Sequence, residues 1–142
     1  VIPLPITGEA LPLSDIDDAA FSTGLLGKGL AVRPNEGKVY APFDGTVETL
    51  FPTNHAIGLK SIDGIELLIH IGMDTVKLEG EYFVSKVKQG DAIEKGQLLL
   101  EFDKEAIQEA GYSLDTPIVV TNTKEFLDVV EKPAENELII IK

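Results

Sequence analysis

The chain has 142 residues, 44% of them apolar, with a mean hydropathy of +0.11, which suits one folded domain with a real core rather than a disordered chain. Its net charge of −12 argues against nucleic acid or an anionic membrane surface as a partner, because phosphate recognition needs clustered Lys and Arg, and it favours a partner with a basic face. The absence of cysteine excludes a disulfide framework, a thiolate zinc site and a cysteine nucleophile, and no apolar run approaches the roughly 18 residues of a membrane span.

Short apolar runs recur between Gly, Pro and Asp punctuation. The first strands are predicted at Gly29 to Val32, Lys38 to Tyr40 and Thr46 to Phe51. Two further runs follow, Thr53 to Lys60 and Ile65 to Ile71, joined by the turn signal Ser61-Ile62-Asp63-Gly64. Later strands are predicted at Phe83 to Val87, Gln97 to Phe102, Thr116 to Val120 and Leu138 to Ile141. One helix is expected over Lys104 to Ala110, with Asp103 as N-cap and Gly111 as the C′ stop, and a short helical turn after Thr123. Many short strands with regular turns point to a sandwich or barrel. Pro5-Ile6-Thr7-Gly8-Glu9-Ala10 echoes Pro42-Phe43-Asp44-Gly45-Thr46-Val47, the mark of a strand-turn-strand unit used twice.

The two histidines of the chain, His55 and His70, fall on the hairpin's two runs. A turn centred on Ile62 and Asp63 places Lys60 opposite Ile65, Ile57 opposite Leu68, Thr53 opposite Gly72 and His55 opposite His70. Directly opposed Cβ atoms lie roughly 4.5–5.5 Å apart, so the two imidazoles should be neighbours. Alternation then gives one face with Thr53, His55, Ile57, Leu59, Glu66, Leu68 and His70, and a core face with Ile65, Leu67, Ile69 and Ile71. Thr53, two residues from His55, has a hydroxyl suited to fixing its tautomer. Opposed histidines can bind a metal with a further ligand, act as acid and base, act as nucleophile and stabiliser, or simply pack. Mutual repulsion disfavours charging both, so at least one should be neutral near pH 7. Asp74 reads as a turn residue or as an acidic rim group, and Phe21, Phe51, Ile57, Leu68 and Val76 as core or as an apolar ring around the histidines.

Gly64-Ile65-Glu66-Leu67-Leu68-Ile69-His70-Ile71-Gly72-Met73-Asp74-Thr75-Val76 resembles the signature of the glucose-type IIA domain of the bacterial phosphoenolpyruvate-dependent sugar phosphotransferase system. Thr53-Asn54-His55-Ala56, Ala41-Pro42-Phe43-Asp44-Gly45, Gly90-Asp91 through Lys95-Gly96-Gln97, and Thr116-Pro117-Ile118-Val119 extend the likeness over essentially the whole chain. The resemblance implies an all-β, duplicated antiparallel β-sandwich (a barrel-sandwich hybrid) with one or two short helices, residues 1–142 forming a single IIA carrier domain. It implies that His70 accepts a phosphoryl group on Nε2 from phospho-HPr and passes it to a cysteine of the IIB domain. It further implies that His55 stabilises the phosphoryl group and Thr53 orients His55. Asp18 and Asp74 match acids that meet arginines of HPr, and Phe21, Phe51, Leu68 and Val76 match an apolar docking ring. Neither a metal nor a cofactor is implied. The setting expected is the cytoplasm, free or as part of a membrane permease. Tyr82 departs from the family pattern, which commonly has Gly there, and so puts the local turn geometry in question. Two rival readings have weaker support. A zinc hydrolase of similar fold needs a His-x-His pair that this chain lacks, unless a partner supplies a carboxylate. A lipoyl-type carrier needs an acceptor lysine at a hairpin tip, which Lys60-Ser61 does not fit. A regulatory binding module is a third reading, one that can coexist with the carrier role.

Overall fold

The computed structural model describes residues 2–141, and for Ala20 the backbone alone. Its elements run β1 (Ile2–Pro3), β2 (Gly8–Pro12), α1 (Ala19–Ser22), β3 (Lys28–Pro34), β4 (Lys38–Tyr40), β5 (Gly45–Leu50), β6 (Ala56–Ser61), β7 (Glu66–His70), β8 (Phe83–Ser85), β9 (Ala92–Ile93), β10 (Leu98–Phe102), α2 (Lys104–Glu109), β11 (Thr116–Val120), β12 (Asp128–Lys132) and β13 (Glu137–Ile141). Short 3-10 turns lie at Leu13–Asp15, Thr75–Leu78, Thr123–Glu125 and Pro133–Glu135.

The strands form an antiparallel β-sandwich. The large sheet has the order β2-β3-β11-β7-β6-β5-β9, and two smaller sheets have the orders β4-β10-β8 and β1-β13-β12. Alternation sends Leu30, Val32, Ile57, Leu59, Leu67, Ile69, Ile118 and Val120 of the large sheet into one core. The smaller sheets meet them there with Val39, Phe83, Leu100, Val129 and Leu138. On the other face of the large sheet, Leu13, Ile16, Phe21, Ala31 and Val119 make a second, smaller cluster joined by Leu68 and Met73. The segment through α1 is thus folded over the outer face by burying its few apolar side chains. None of the helices among the described residues is long and apolar enough to cross a membrane.

The sequence echo has a structural counterpart. Gly8 opens β2 opposite Pro34, and Gly45 opens β5 opposite Ser61, in two antiparallel pairs on either side of the central strands β11 and β7. A Cβ on Gly8 would lie 2.3 Å from the Arg33 carbonyl oxygen, and one on Gly45 2.0 Å from that of Lys60. Both glycines are therefore required by close backbone approach. The predicted helix also forms as read. The Asp103 side chain accepts from the Ala106 N–H at 3.1 Å, and Gly111 follows the helix at φ +94°. The expected turn after Thr123 is the 3-10 turn Thr123–Glu125. Strands β1, β2, β9 and β12 and helix α1 go beyond the sequence reading. They are short, and β2 and β12 are largely half-exposed, so they carry little apolar periodicity.

The turn at the departure from the resembled pattern is strained. Tyr82 stands at φ +75°, following Glu79 at +53° and Gly80 at +89°. A left-handed backbone costs a bulky residue about 1–2 kcal/mol. Its carbonyl accepts the Asp103 N–H at 2.9 Å, so the turn is held to the start of α2. Tyr82→Gly should release the strain and lose part of the gain to a more flexible unfolded chain. The expected net is a stabilisation of about 0.5–1 kcal/mol, seen as a higher denaturation midpoint at unchanged slope.

Candidate functional site

The site is built where two hairpin ends meet on the outer face of the large sheet. β7 ends at His70, and β6 begins at Ala56, directly opposite. The observed pairs are Ala56 with His70, Ile57 with Ile69, Gly58 with Leu68, Leu59 with Leu67 and Lys60 with Glu66, one residue out of the predicted register. The cause is a three-residue turn. The Ser61 N–H donates to the Ile65 carbonyl at 2.9 Å, enclosing Ile62, Asp63 and Gly64, and Gly64 sits at φ +93°. A one-residue slip moves a strand's side chains to the other face. Ile57 and Leu59 accordingly face the core with Leu67, Ile69 and Ile71. Ile57 is 0% exposed, so it cannot belong to a docking ring.

His55 nevertheless meets His70. Residues 52–55 are not strand but the loop of the β5–β6 hairpin, and the Phe51 N–H donates to the Ala56 carbonyl across its base at 3.2 Å. Asn54 lies at φ +58°, a left-handed conformation that asparagine tolerates. This turn breaks the alternation and brings the His55 ring over the outer face. The two ring centroids are 4.9 Å apart at an interplanar angle of 83°. The expected pairing of Thr53 with Gly72 does not form, because Thr53 is in that loop.

The ring nitrogens have distinct partners. His70 Nδ1 lies 2.8 Å from the Gly72 carbonyl oxygen. A carbonyl only accepts, so Nδ1–H donates and the neutral ring keeps its lone pair on Nε2. His55 Nδ1 lies 2.5 Å from the Thr53 hydroxyl, the partnership expected from their spacing. Phe21 packs against His70 with centroids 5.3 Å apart, and Phe51 against His55 at 5.5 Å. Phe21 is itself nearly buried, while Phe51 and Leu68 are half-buried and Val76 is 49% exposed. Asp18 and Asp74 are exposed, and both carboxylates act electrostatically on His70. Asp74 is also a turn residue, at φ +59° before the 3-10 turn Thr75–Leu78.

Two features escaped the sequence reading. The Gly72 carbonyl is the group that sets the His70 tautomer, and the sequence signals it only as a glycine two residues beyond the histidine. A Cβ at Gly72 would lie 2.7 Å from the Ser113 carbonyl oxygen, and its φ is +76°, so only glycine fits. Leu25, 79% exposed, follows the turn after Phe21 and adds apolar surface beyond α1.

Both rings are held neutral. Burial pushes His55 down from 6.5 to about 4, with the neighbouring His70 adding to the effect. Burial also lowers His70, against the raising influence of the Gly72 carbonyl, Asp18 and Asp74. For His55 the unfolded chain binds the proton more tightly than the folded one. Stability is therefore full above about pH 6.5 and declines as the pH falls towards 4. The loss is roughly 3 kcal/mol at about 1.4 kcal/mol per unit. His55→Gln, which removes the titration, should flatten that part of the acid limb. The difference between the two proteins' denaturation free energies at pH 7 and pH 4.5 measures it, since the carboxylates contribute to both. Among the described residues no group of three or more His, Cys, Asp or Glu side chains is arranged to hold a metal ion.

Known proteins share this sequence and architecture. The family model of the phosphoenolpyruvate-dependent sugar phosphotransferase system, EIIA 1, matches residues 1–126. A beta-glucoside-specific EIIBCA component of that system from Dickeya chrysanthemi is 54% identical over 125 residues, covering 88% of this chain and 20% of its own length. A glucose-specific EIICBA component from Staphylococcus carnosus is 48% identical over 146 aligned positions, covering 100% of this chain and 22% of its own length. The chain thus spans about a fifth of the length of these curated relatives. The solved structure of glucose permease IIA from Mycoplasma capricolum matches with a TM-score of 0.83 and 31% identity, covering 98% of this chain and 92% of that one. The chain therefore belongs to the EIIA 1 family of the phosphoenolpyruvate-dependent sugar phosphotransferase system.

Proposed function

We propose that residues 1–142 act as one IIA carrier unit on the cytoplasmic side of a sugar permease, and that His70 carries the phosphoryl group on Nε2. The observation that carries this reading is the hydrogen bond from His70 Nδ1 to the Gly72 carbonyl at 2.8 Å, which leaves Nε2 as the nucleophile beside a second neutral imidazole. Ordinary solution histidines divide between tautomers and charge states. This one is held in the form that can attack.

In the first step the Nε2 lone pair attacks the phosphorus of phospho-HPr. The N–P bond to the donor histidine breaks as the Nε2–P bond forms, and the donor ring recovers its lone pair. In the second step a thiolate of the IIB domain attacks the same phosphorus. An S–P bond forms, the Nε2–P bond breaks, and the electron pair returns to His70. Such transfers pass through a loose transition state, so they depend on in-line positioning and charge stabilisation. His55 supplies the latter. The Thr53 hydroxyl donates to His55 Nδ1, which leaves a proton on Nε2 for the phosphoryl oxygens. The negative charge of the phosphoryl group also counters the burial that keeps His55 neutral, so the ring can take up a proton as the group arrives.

Docking follows from the rim. Phe51, Leu68 and Val76 offer apolar surface around the rings, backed by the buried Phe21 packed on His70, and Asp18 and Asp74 offer carboxylates to basic side chains of HPr and IIB. The net charge of −12 steers both partners towards this chain. A carrier must release its partners, so a small interface suits it. Incubation with phosphoenolpyruvate, enzyme I and HPr should add one acid-labile phosphoryl group per chain, read by intact mass before and after mild acid. An unmodified chain, or an acid-stable adduct, would overturn the proposal.

A further inference from the structure

The Thr116-Pro117-Ile118-Val119 segment has no part in the chemistry above, yet it lies against the turn that carries the Gly72 carbonyl. Two consecutive peptide units of that turn are engaged on both sides. In the Ile71–Gly72 unit the carbonyl accepts the Thr75 hydroxyl at 2.5 Å, and the Gly72 N–H donates to Thr116 Oγ1 at 3.4 Å. In the Gly72–Met73 unit the N–H of Met73 donates to the Ser113 carbonyl at 3.0 Å, and the Gly72 carbonyl accepts from His70. Thr116 is fully buried, and its own hydroxyl proton goes to the Leu114 carbonyl at 2.8 Å. Its oxygen therefore presents only lone pairs to the Gly72 N–H.

Resting on the assignment of Nε2 as the nucleophile, we propose that Thr116 is a positioning residue for His70. With the start of β11 it clamps the Gly72 turn so that a carbonyl, never a donor, meets Nδ1. The clamp is rigid because β11 lies in the middle of the large sheet, between β3 and β7, with Thr116 paired to Val32. It is also directional. Donation from Met73 N–H to Ser113 polarises the same peptide unit whose oxygen holds His70, which strengthens that oxygen as an acceptor. A peptide free to rotate would let the imidazole divide between its two neutral forms, and the Nε2–H form carries its lone pair on Nδ1 instead of on the attacking nitrogen.

The test compares Thr116→Val, which keeps the shape and removes the hydroxyl, with Thr116→Ser, which keeps the hydroxyl. Nitrogen-15 NMR of the His70 ring reads the tautomer directly and needs no phosphoryl donor. The wild type and Thr116→Ser should hold almost wholly the Nδ1–H form. Thr116→Val should populate both forms and take up phosphoryl groups from phospho-HPr about tenfold more slowly, as expected for a displaced nucleophile. A Thr116→Val protein that is merely less stable, with the wild-type tautomer and rate, would overturn the proposal. If that variant does not fold, the wild type decides the matter. The Gly72 amide should exchange slowly with solvent, and exchange at the rate of an open loop would refute the clamp. A wild type that is never phosphorylated on His70 would instead refute the function proposed above, while the tautomer measurement would still judge Thr116.

Discussion

His70→Ala is expected to accept no phosphoryl group at all from phosphoenolpyruvate, enzyme I and HPr. The substitution removes the nucleophilic Nε2, and no other side chain in the site combines a fixed lone pair with a place beside the partner imidazole. His55 is not a substitute, because it is 3% exposed and its Nδ1 is already engaged by the Thr53 hydroxyl. The fold should survive. His70 is only part-buried, and the outer face beneath it is held by Phe21, Leu68 and Val119. Intact mass after incubation, with circular dichroism to verify folding, gives the answer. Labelling of the folded His70→Ala protein would sink the assignment of the carrier residue.

The second large effect is expected at His55. His55→Gln leaves His70 and the Gly72 carbonyl untouched, so end-point labelling with excess donor should still reach one phosphoryl group per chain. Onward transfer should fall. Glutamine can donate a neutral hydrogen bond to a phosphoryl oxygen but cannot acquire the positive charge that the approaching phosphoryl group draws onto imidazole. Loss of one such stabilising group costs roughly a hundredfold in rate. Rapid-quench transfer from the labelled protein to an isolated IIB domain measures it. Unchanged transfer would remove His55 from the mechanism and leave it a packing residue. A variant that cannot be labelled at all would mean that His55 is needed for the nucleophile itself.

The contact between the two histidines was legible in the sequence, although the path to it differs from the one read there. Opposing His55 to His70 assumed a tight turn and a strand extending to Thr53. The turn at Ile62 to Gly64 is one residue longer, which would by itself put His55 opposite Ile71. The left-handed Asn54 then swings the ring back over the outer face. Each departure depends on a backbone dihedral, and the side chains at those positions permit more than one. The slip also explains Ile57. Its place in the apolar ring followed from the assumed register, and the true register turns it into the core.

Residue identity alone determined the chemistry on offer: two imidazoles, no thiol, a hydroxyl two residues from one ring, and strong negative charge. It also determined the cap of α2, because that depends on neighbours in the chain, whereas the need for glycine at positions 8 and 45, whose echo marks the duplicated strand pairs, comes from the partner strands at Arg33 and Lys60. Tertiary structure decided which imidazole nitrogen is free. That depends on where the Gly72 carbonyl points, and its direction is set by Ser113 and Thr116, more than forty residues along the chain. It also decided that both rings are neutral, since the cause is burial against Phe21, Phe51 and each other. Local sequence controls turns and caps through short-range hydrogen bonds. The protonation of a site is controlled by what the fold brings next to it.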